Sequence, residues 1–375
     1  MPQILLPDYG RTTLAEVLPA IASHLSEGLD GAIDVLGLPR AKRFVIAMID
    51  GLGHDQLVAT RARAPYLSGL LNDSAIMLTS AVPATTATSL TTLGTGAVPG
   101  QHGIVGYSFR AMGEIINALA WDDRLEPETF QPIPTWFQRL VAAGVAVTTV
   151  SLANFGGTGL TRAALRGPQF RGLVDEFDDD QRITQVVEAS GAGERSLTYV
   201  YERRLDHAGH GAGVGSEVWR ETLDGIDGWL EHLRSALDPS TCLIITGDHG
   251  MVDVPSNHQI IIEDSPGLAS GLGLVGGEGR LRQLYADRPD EVAASWARRL
   301  GERAVVRQRA EAIEEGWFGP VHPRMADRIG DVLVAMQGDW AVMTLQRPGE
   351  LTLVGQHGSV TCEEMCVPLL VDCFA

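Results

Sequence analysis

Asp248 and His249 sit side by side at the end of the run Cys242-Leu-Ile-Ile-Thr-Gly-Asp-His-Gly-Met, with a glycine on each side of the pair. An apolar, β-branched strand that stops there delivers a carboxylate and an imidazole to one point, and this pairing ligates zinc and similar divalent metals. Three other segments carry the same ligand types: Asp50 in Met48-Ile-Asp-Gly-Leu-Gly, Asp206 with His210 in Leu205-Asp-His-Ala-Gly-His-Gly, and His357 in Gly355-Gln-His-Gly. Singly, each has an ordinary reading. An Asp-Gly after a strand is commonly a turn, and an Asp and a His four apart commonly cap or salt-bridge a helix. Three Asp and three His, most beside a glycine and most just past an apolar run, point instead to a shared metal site. Glycine permits the tight turns and close approach that such crowding needs.

The segment Val82 to Gly96 carries seven hydroxyls in fifteen residues and no charge. Composition alone fits an N-capped, semi-buried helix whose first turn lies near Thr85 and Thr86. The chemical reading is a hydroxyl nucleophile at a helix N-terminus, where free N–H groups and the helix dipole favour an alkoxide and bind phosphoryl oxygens. No Ser-His-Asp ordering or nucleophile elbow is visible, so the activator of such a hydroxyl would be a metal ion.

The elements that must position these groups alternate. Strands are expected at Arg43–Ile49, Ala75–Ser80, Val145–Val150, Leu197–Val200, Thr241–Thr246, Asp331–Met336, Trp340–Thr344 and Pro368–Val371. Helices are expected over Thr86–Leu93, over Pro132–Gly144 with Thr135 as N-cap, and over Ser216–Leu237. Alternation of this kind predicts an α/β fold, a three-layer α/β/α sandwich with a largely parallel central sheet. In open α/β sheets ligands bind at the C-terminal strand ends, where the Asp and His residues lie. Residues 263–330 read differently, as a small α+β insertion within one catalytic domain spanning residues 1–375.

The 375-residue chain has 45% hydrophobic and 20% charged residues, as in globular enzymes, and a net charge of −18. That charge excludes nucleic-acid polymers and anionic membranes as partners, since both need clustered Lys and Arg. Lys42 is the sole lysine, which removes a Gly-Lys-Ser/Thr phosphate loop and a Schiff-base lysine. Cys242, Cys362, Cys366 and Cys373 form no Cys-x-x-Cys pair and are expected to be reduced thiols. The first residues include Asp8, Arg11 and Glu16 without an apolar stretch, so no signal peptide is expected. With no run near the ~20 residues that span a bilayer, the expectation is a cytoplasmic protein. Oligomeric state is left open.

Taken together these motifs resemble the alkaline phosphatase superfamily, and within it the type I phosphodiesterase/nucleotide pyrophosphatase family. The likeness runs from Asp50 to Val371 in the family's order: Ile49-Asp-Gly, Pro83-Ala-Thr-Thr with Thr95-Gly, Pro99-Gly-Gln-His-Gly-Ile-Val-Gly-Tyr, Leu205-Asp-His-Ala-Gly-His, Thr246-Gly-Asp-His-Gly-Met, and His357-Gly. The resemblance implies a Thr nucleophile at Thr86, with Thr85 the second choice, and hydrolysis through a phosphothreonine intermediate. It also implies two divalent metals, zinc by family expectation, with manganese or iron fitting the same ligands. Asp206, His210 and His357 would hold one. Asp50, Asp248, His249 and the Thr86 oxygen would hold the other.

Ser89 stands where animal nucleotide pyrophosphatases carry an Asn that contacts a phosphoryl oxygen, so it is expected to bind substrate in its place. His102 and Tyr107 are expected at the substrate pocket or beneath the nucleophile helix. His207, His258 and His322 match no ligand position and are read as structural. The sulfatase pattern Cys-x-Pro-x-Arg is absent, and Arg110 is the first arginine downstream of Thr86, unlike phosphomonoesterases that place an arginine at the nucleophile. The expected function is a phosphodiesterase or nucleotide pyrophosphatase acting on a small phosphate ester. The alternatives are a phosphonoacetate hydrolase or phosphomonoesterase on the same site, or a silent binding protein of the same fold, against which every expected ligand is present. Pocket walls are expected from residues 107–135, 154–170 and 263–330.

Overall fold

The computed structural model describes residues 4–373. Its central sheet has seven strands in the order Ile76–Thr79, Cys366–Asp372, Thr241–Gly247, Arg43–Ile49, Ser196–Glu202, Ala146–Leu152, Gln169–Leu173. From Thr241–Gly247 to Gln169–Leu173 the strands are all parallel, and Cys366–Asp372 runs antiparallel to both its neighbours. The strands are apolar on both faces because both faces are covered. In Arg43–Ile49, Phe44, Ile46 and Met48 enter one core, and Val45, Ala47 and Ile49 enter the other. Val17–Leu25, Thr86–Thr95 and Trp136–Ala142 close the first core, and Pro65–Asp73 and Glu217–Ala236 the second. The result is the α/β/α sandwich expected from the alternation of elements.

Local signals set the helix limits. Thr135 caps Trp136–Ala142 through a capping box with Gln138, and Ser216 Oγ accepts from the Trp219 N–H at the start of Glu217–Ala236. Along that helix Trp219, Leu223, Ile226, Leu230 and Leu233 recur at helical spacing and are buried.

A second, four-stranded antiparallel sheet has the order Leu274–Gly277, Leu281–Tyr285, Val332–Met336, Ala304–Gln308. The helix Pro289–Leu300 packs Val292, Trp296 and Leu300 into a core of its own there. This sheet takes Val332–Met336 from beyond residue 330, where the insertion was expected to end. A buried antiparallel strand and a buried parallel one are the same apolar run in sequence, so the boundary was not visible.

The expectation of four reduced cysteines is corrected at one pair. Cys242 and Cys373 form a disulfide across 131 residues, with Cα atoms 4.5 Å apart. Antiparallel pairing of Asp372 with Leu243 puts the two cysteines opposite each other, a juxtaposition that spacing in sequence does not reveal. Cys362 and Cys366 are free. Among the described residues no helix is long and apolar enough to cross a membrane.

Candidate active site

Strand register assembles the site. Ile49 pairs with Gly247 on one side and Glu202 on the other, so three neighbouring parallel strands end level. Their following residues share one edge of the sheet. The Asp50 N–H donates to the Glu202 carbonyl at 2.8 Å, and the Asp206 N–H donates to the Asp50 carbonyl at 3.1 Å. Asp206 and His210 lie four apart on the helix Arg204–Ala212, hence on one face. Gly247 permits the closeness: a Cβ there would stand 2.1 Å from the Leu52 carbonyl oxygen.

The six ligand-type residues and Thr86 converge. His210 Nε2 lies 3.3 Å from Asp206 Oδ1, and His357 Nε2 lies 3.8 Å from the same oxygen. His249 Nε2 is 3.4 Å from Asp50 Oδ1 and 3.5 Å from Asp248 Oδ2. The His249 and His357 rings stack at 3.6 Å. Two groups have ligand atoms close enough to share an ion, Asp206 with His210 and His357, and Asp50 with Asp206 and His249. Asp206 thus stands between the two clusters.

Each histidine is held by its other nitrogen. His210 Nδ1 donates to the Gly355 carbonyl at 2.7 Å, His249 Nδ1 to the Gly250 carbonyl at 2.9 Å, and His357 Nδ1 to the Ala84 carbonyl at 2.8 Å. A carbonyl only accepts, so the proton is on Nδ1 and every Nε2 offers a lone pair toward the cluster. That is the tautomer and anchoring found behind metal-bound histidines.

The carboxylates show the same design. Burial, then the charges of Asp248 and Asp206, push the Asp50 carboxyl well above its ordinary range, and burial also raises that of Asp248. Burial, then the neighbouring His249 and His210, drives His357 well below the usual imidazole range. Asp206 Oδ1 and Asp248 Oδ2 are buried without a hydrogen-bond partner. Buried carboxylate oxygens left unpaired are costly. Facing three Nε2 lone pairs, they fit divalent cations with N/O ligands.

Thr86 opens the helix Thr86–Thr95, with Thr85 as N-cap residue. From Ala81 to Thr95 it alone is not buried. Its Oγ1 lies 3.2 Å from His249 Nε2 and 3.5 Å from Asp50 Oδ1, whereas Thr85 turns toward Glu278. The cluster opens on a cavity of about 740 Å³. Tyr107, Asn117, Leu119, Phe155, Leu160, Leu165, Phe170 and Glu278 line it, drawn from the three segments expected to supply walls. The strands Ala146–Leu152 and Ser196–Glu202 and the residues from Arg347 to Leu353 contribute as well.

The expected substrate contacts divide. Tyr107 lines the cavity, but Ser89 and His102 do not. Ser89 lies a turn deeper in the helix, fully buried, with its hydroxyl 2.8 Å from Ser80 Oγ. Ser80 in turn donates to the Asp248 carbonyl at 2.6 Å, so Ser89 supports the ligand strand from behind. His102 is fully buried. The Ile104 N–H donates to its Nδ1 at 3.1 Å, which places its proton on Nε2, 3.0 Å from Thr92 Oγ1. Burial, reinforced by the Arg328 charge, lowers its pKa to about 3, so it is a neutral structural group. His207, read as structural, lines the cavity. His258 stacks on Trp340, and His322 caps the helix Pro323–Ala326.

Two site residues went unread in the sequence. Tyr201 Oη donates to Asp50 Oδ2. Its signal was only its place on a strand beside the Asp50 strand. Glu278 had no signal, because it arrives from the second sheet.

Comparison with known proteins shows the family and the shared fold. The sequence model of the type I phosphodiesterase/nucleotide pyrophosphatase family matches residues 44–360. A phosphopentomutase from Shewanella pealeana is 28% identical over 166 residues, 44% of this chain but only 38% of that protein. Among solved structures, murine ectonucleotide pyrophosphatase/phosphodiesterase 5 superposes with a TM-score of 0.72 at 18% identity, over 89% of this chain and 88% of that one. An inactive variant of it in complex with AMP gives 0.71 at 18% identity, over 87% of each chain. Phosphonoacetate hydrolase from Sinorhizobium meliloti in complex with phosphonoformate gives 0.66 at 19% identity, over 89% of this chain and 91% of that one.

Proposed function

The chain belongs to the type I phosphodiesterase/nucleotide pyrophosphatase family, and on that premise we propose that it is a metal-dependent phosphodiester hydrolase with Thr86 as nucleophile. The carrying observation is the Thr86 hydroxyl, the one unburied group of its segment, set against His249 and Asp50 at the mouth of the cavity. Asp206, His210 and His357 would hold one divalent ion, and Asp50, Asp248, His249 and Thr86 Oγ1 the other. Two such ions, when bound, stabilise negative charge on the attacking and departing oxygens; zinc, manganese and iron all suit the ligands.

The protein's own groups do the rest. Thr86 Oγ1 attacks phosphorus in line, the bond from phosphorus to the leaving oxygen breaks, and a phosphothreonine forms. Water then cleaves the phosphothreonine and restores the hydroxyl, so two inversions give net retention at phosphorus. Free N–H groups at the start of Thr86–Thr95 receive the non-bridging oxygens. The leaving group enters a cavity walled by Leu119, Phe155, Leu160, Leu165 and Phe170, which suits an apolar or aromatic ester group.

The test is Thr86→Ala in the metal-loaded protein. Turnover of a chromogenic phosphodiester is expected to fall by about a thousandfold or more, and the phosphothreonine adduct to vanish from the mass spectrum. Unchanged turnover would sink the nucleophile assignment, and the same loss in Thr85→Ala alone would move it to Thr85.

The fold shared with phosphonoacetate hydrolase raises a second reading. That substrate brings a carboxylate, and a buried carboxylate needs a cation. Both arginines lining the cavity are engaged: Arg203 with Glu176 in two bonds of 2.8 Å, and Arg347 with Glu350 and two carbonyls. Rates on a diester, a monoester and phosphonoacetate, side by side, decide between the readings, with the diester expected to lead.

A further inference from the structure

Glu278 is an acidic group at the cavity wall that no ion pair among the described residues neutralises. It sits in the turn between Leu274–Gly277 and Leu281–Tyr285, where Glu278 and Leu281 exchange backbone hydrogen bonds of 3.1 Å. The turn is rigidly mounted. Arg280, fully buried, bonds Glu364 at 3.0 and 2.7 Å, and Glu364 also accepts the Ser359 N–H at 2.9 Å, two residues past His357. A Cβ on Gly358 would stand 2.7–2.8 Å from the Glu278 side chain, so the His357 loop is shaped to admit this carboxyl. Oε1 is buried without a hydrogen-bond partner, and the residue lines the same cavity as Thr85 and Thr86. Burial raises the carboxyl to about 8, against the opposing hydrogen bond from Thr85 and with Glu350 adding to the rise. Burial outweighs the Arg282 charge that opposes the rise.

A carboxyl built into the wall beside the nucleophile, at this cost, acts on what enters. Three carboxylates would already oppose the charge of two bound dications, and above its raised pKa Glu278 adds a fourth. We propose that Glu278 is a specificity-determining residue whose carboxylate meets the substrate beside Thr86 and discriminates against phosphoryl groups carrying a second negative charge. Phosphodiesters carry one charge and monoesters two at pH 8.5, where the Glu278 carboxyl is mostly ionised. The inference rests on the phosphodiester-hydrolase reading for its biological meaning, and its test does not.

The test compares wild type with Glu278→Gln, which keeps shape and removes charge, and with Glu278→Ala. Binding of phenylphosphonate and of its singly charged monomethyl ester to the metal-loaded protein is measured by calorimetry at pH 8.5, with diester and monoester kcat/KM alongside. Both substitutions are expected to raise affinity for the dianion over the monoanion by about tenfold, the scale of one charge at close range in a partly screened site. The monoester-to-diester ratio of kcat/KM should rise in parallel. A dianion-to-monoanion binding ratio within twofold of wild type in both variants overturns the proposal, as does failure of the wild-type protein to bind either anion. If the binding ratio shifts while no ester is turned over, the hydrolase reading falls and the assignment of Glu278 stands.

Discussion

Tyr201 shows how one residue outside the ligand set governs it. Its hydroxyl holds Asp50 Oδ2, which leaves Oδ1 aimed at Thr86 and His249. Phe155 packs edge-on against the Tyr201 ring at 5.9 Å and fixes the donor in turn. Tyr201→Phe removes one hydrogen bond and no volume, so the fold should persist. Partners of this kind tune ligand affinity and activity by about 10–100-fold. The expected result is a loss in that range in both kcat and metal affinity, read by kinetics and by competition with a chromogenic chelator. An unchanged metal affinity would reduce Tyr201 to a packing role. The sequence exposed the clustered Asp and His residues because glycines and strand ends mark them. It hid Tyr201 because a tyrosine in a buried strand is ordinary until its neighbour strand is known.

Among elements, the ends of Arg43–Ile49 and Thr241–Gly247 matter most. Gly247 allows the Leu52 carbonyl to lie against the Asp248 strand. Gly247→Ala would put a methyl group 2.1 Å from that oxygen, and a backbone carbonyl cannot swing aside as a side-chain tip can. The expected cost is about 1–3 kcal/mol, seen as a lower denaturant midpoint at unchanged slope. Lower metal occupancy should follow, since Asp50 and Asp248 flank the strained segment. Stability equal to wild type would show that the strand ends yield more than the packing implies. The helix that carries Thr86 was foreseen from Thr, Ser and Gly chemistry. The depth of Ser89 within it, and of His102 in the short helix Pro99–His102 that follows, was not, because depth depends on what packs against each face.

For the molecule as a whole, Asp50, Asp206 and Asp248 form an acidic cluster faced by His210, His249 and His357 within a chain of net charge −18. Dications bound there would relieve this cluster, and binding to the native state alone would stabilise it by mass action. Chelation should therefore lower the melting temperature and release about two ions per chain, and zinc or manganese should restore both. Release of a single ion, or a melting temperature indifferent to chelator, would contradict a paired site. By itself the sequence determined the parallel α/β class, the family, and the ligand types at four separate strand ends, because periodicity and glycine placement are local and written in the order of residues. Only the tertiary structure decided that Asp206 stands between both clusters, that Cys242 faces Cys373, and that Ser89 and His102 lie behind the site. It alone brought Glu278 from a second sheet to the cavity that Thr85 and Thr86 line. Each of these depends on register and packing between segments far apart in the chain, and neither residue type nor spacing carries that information.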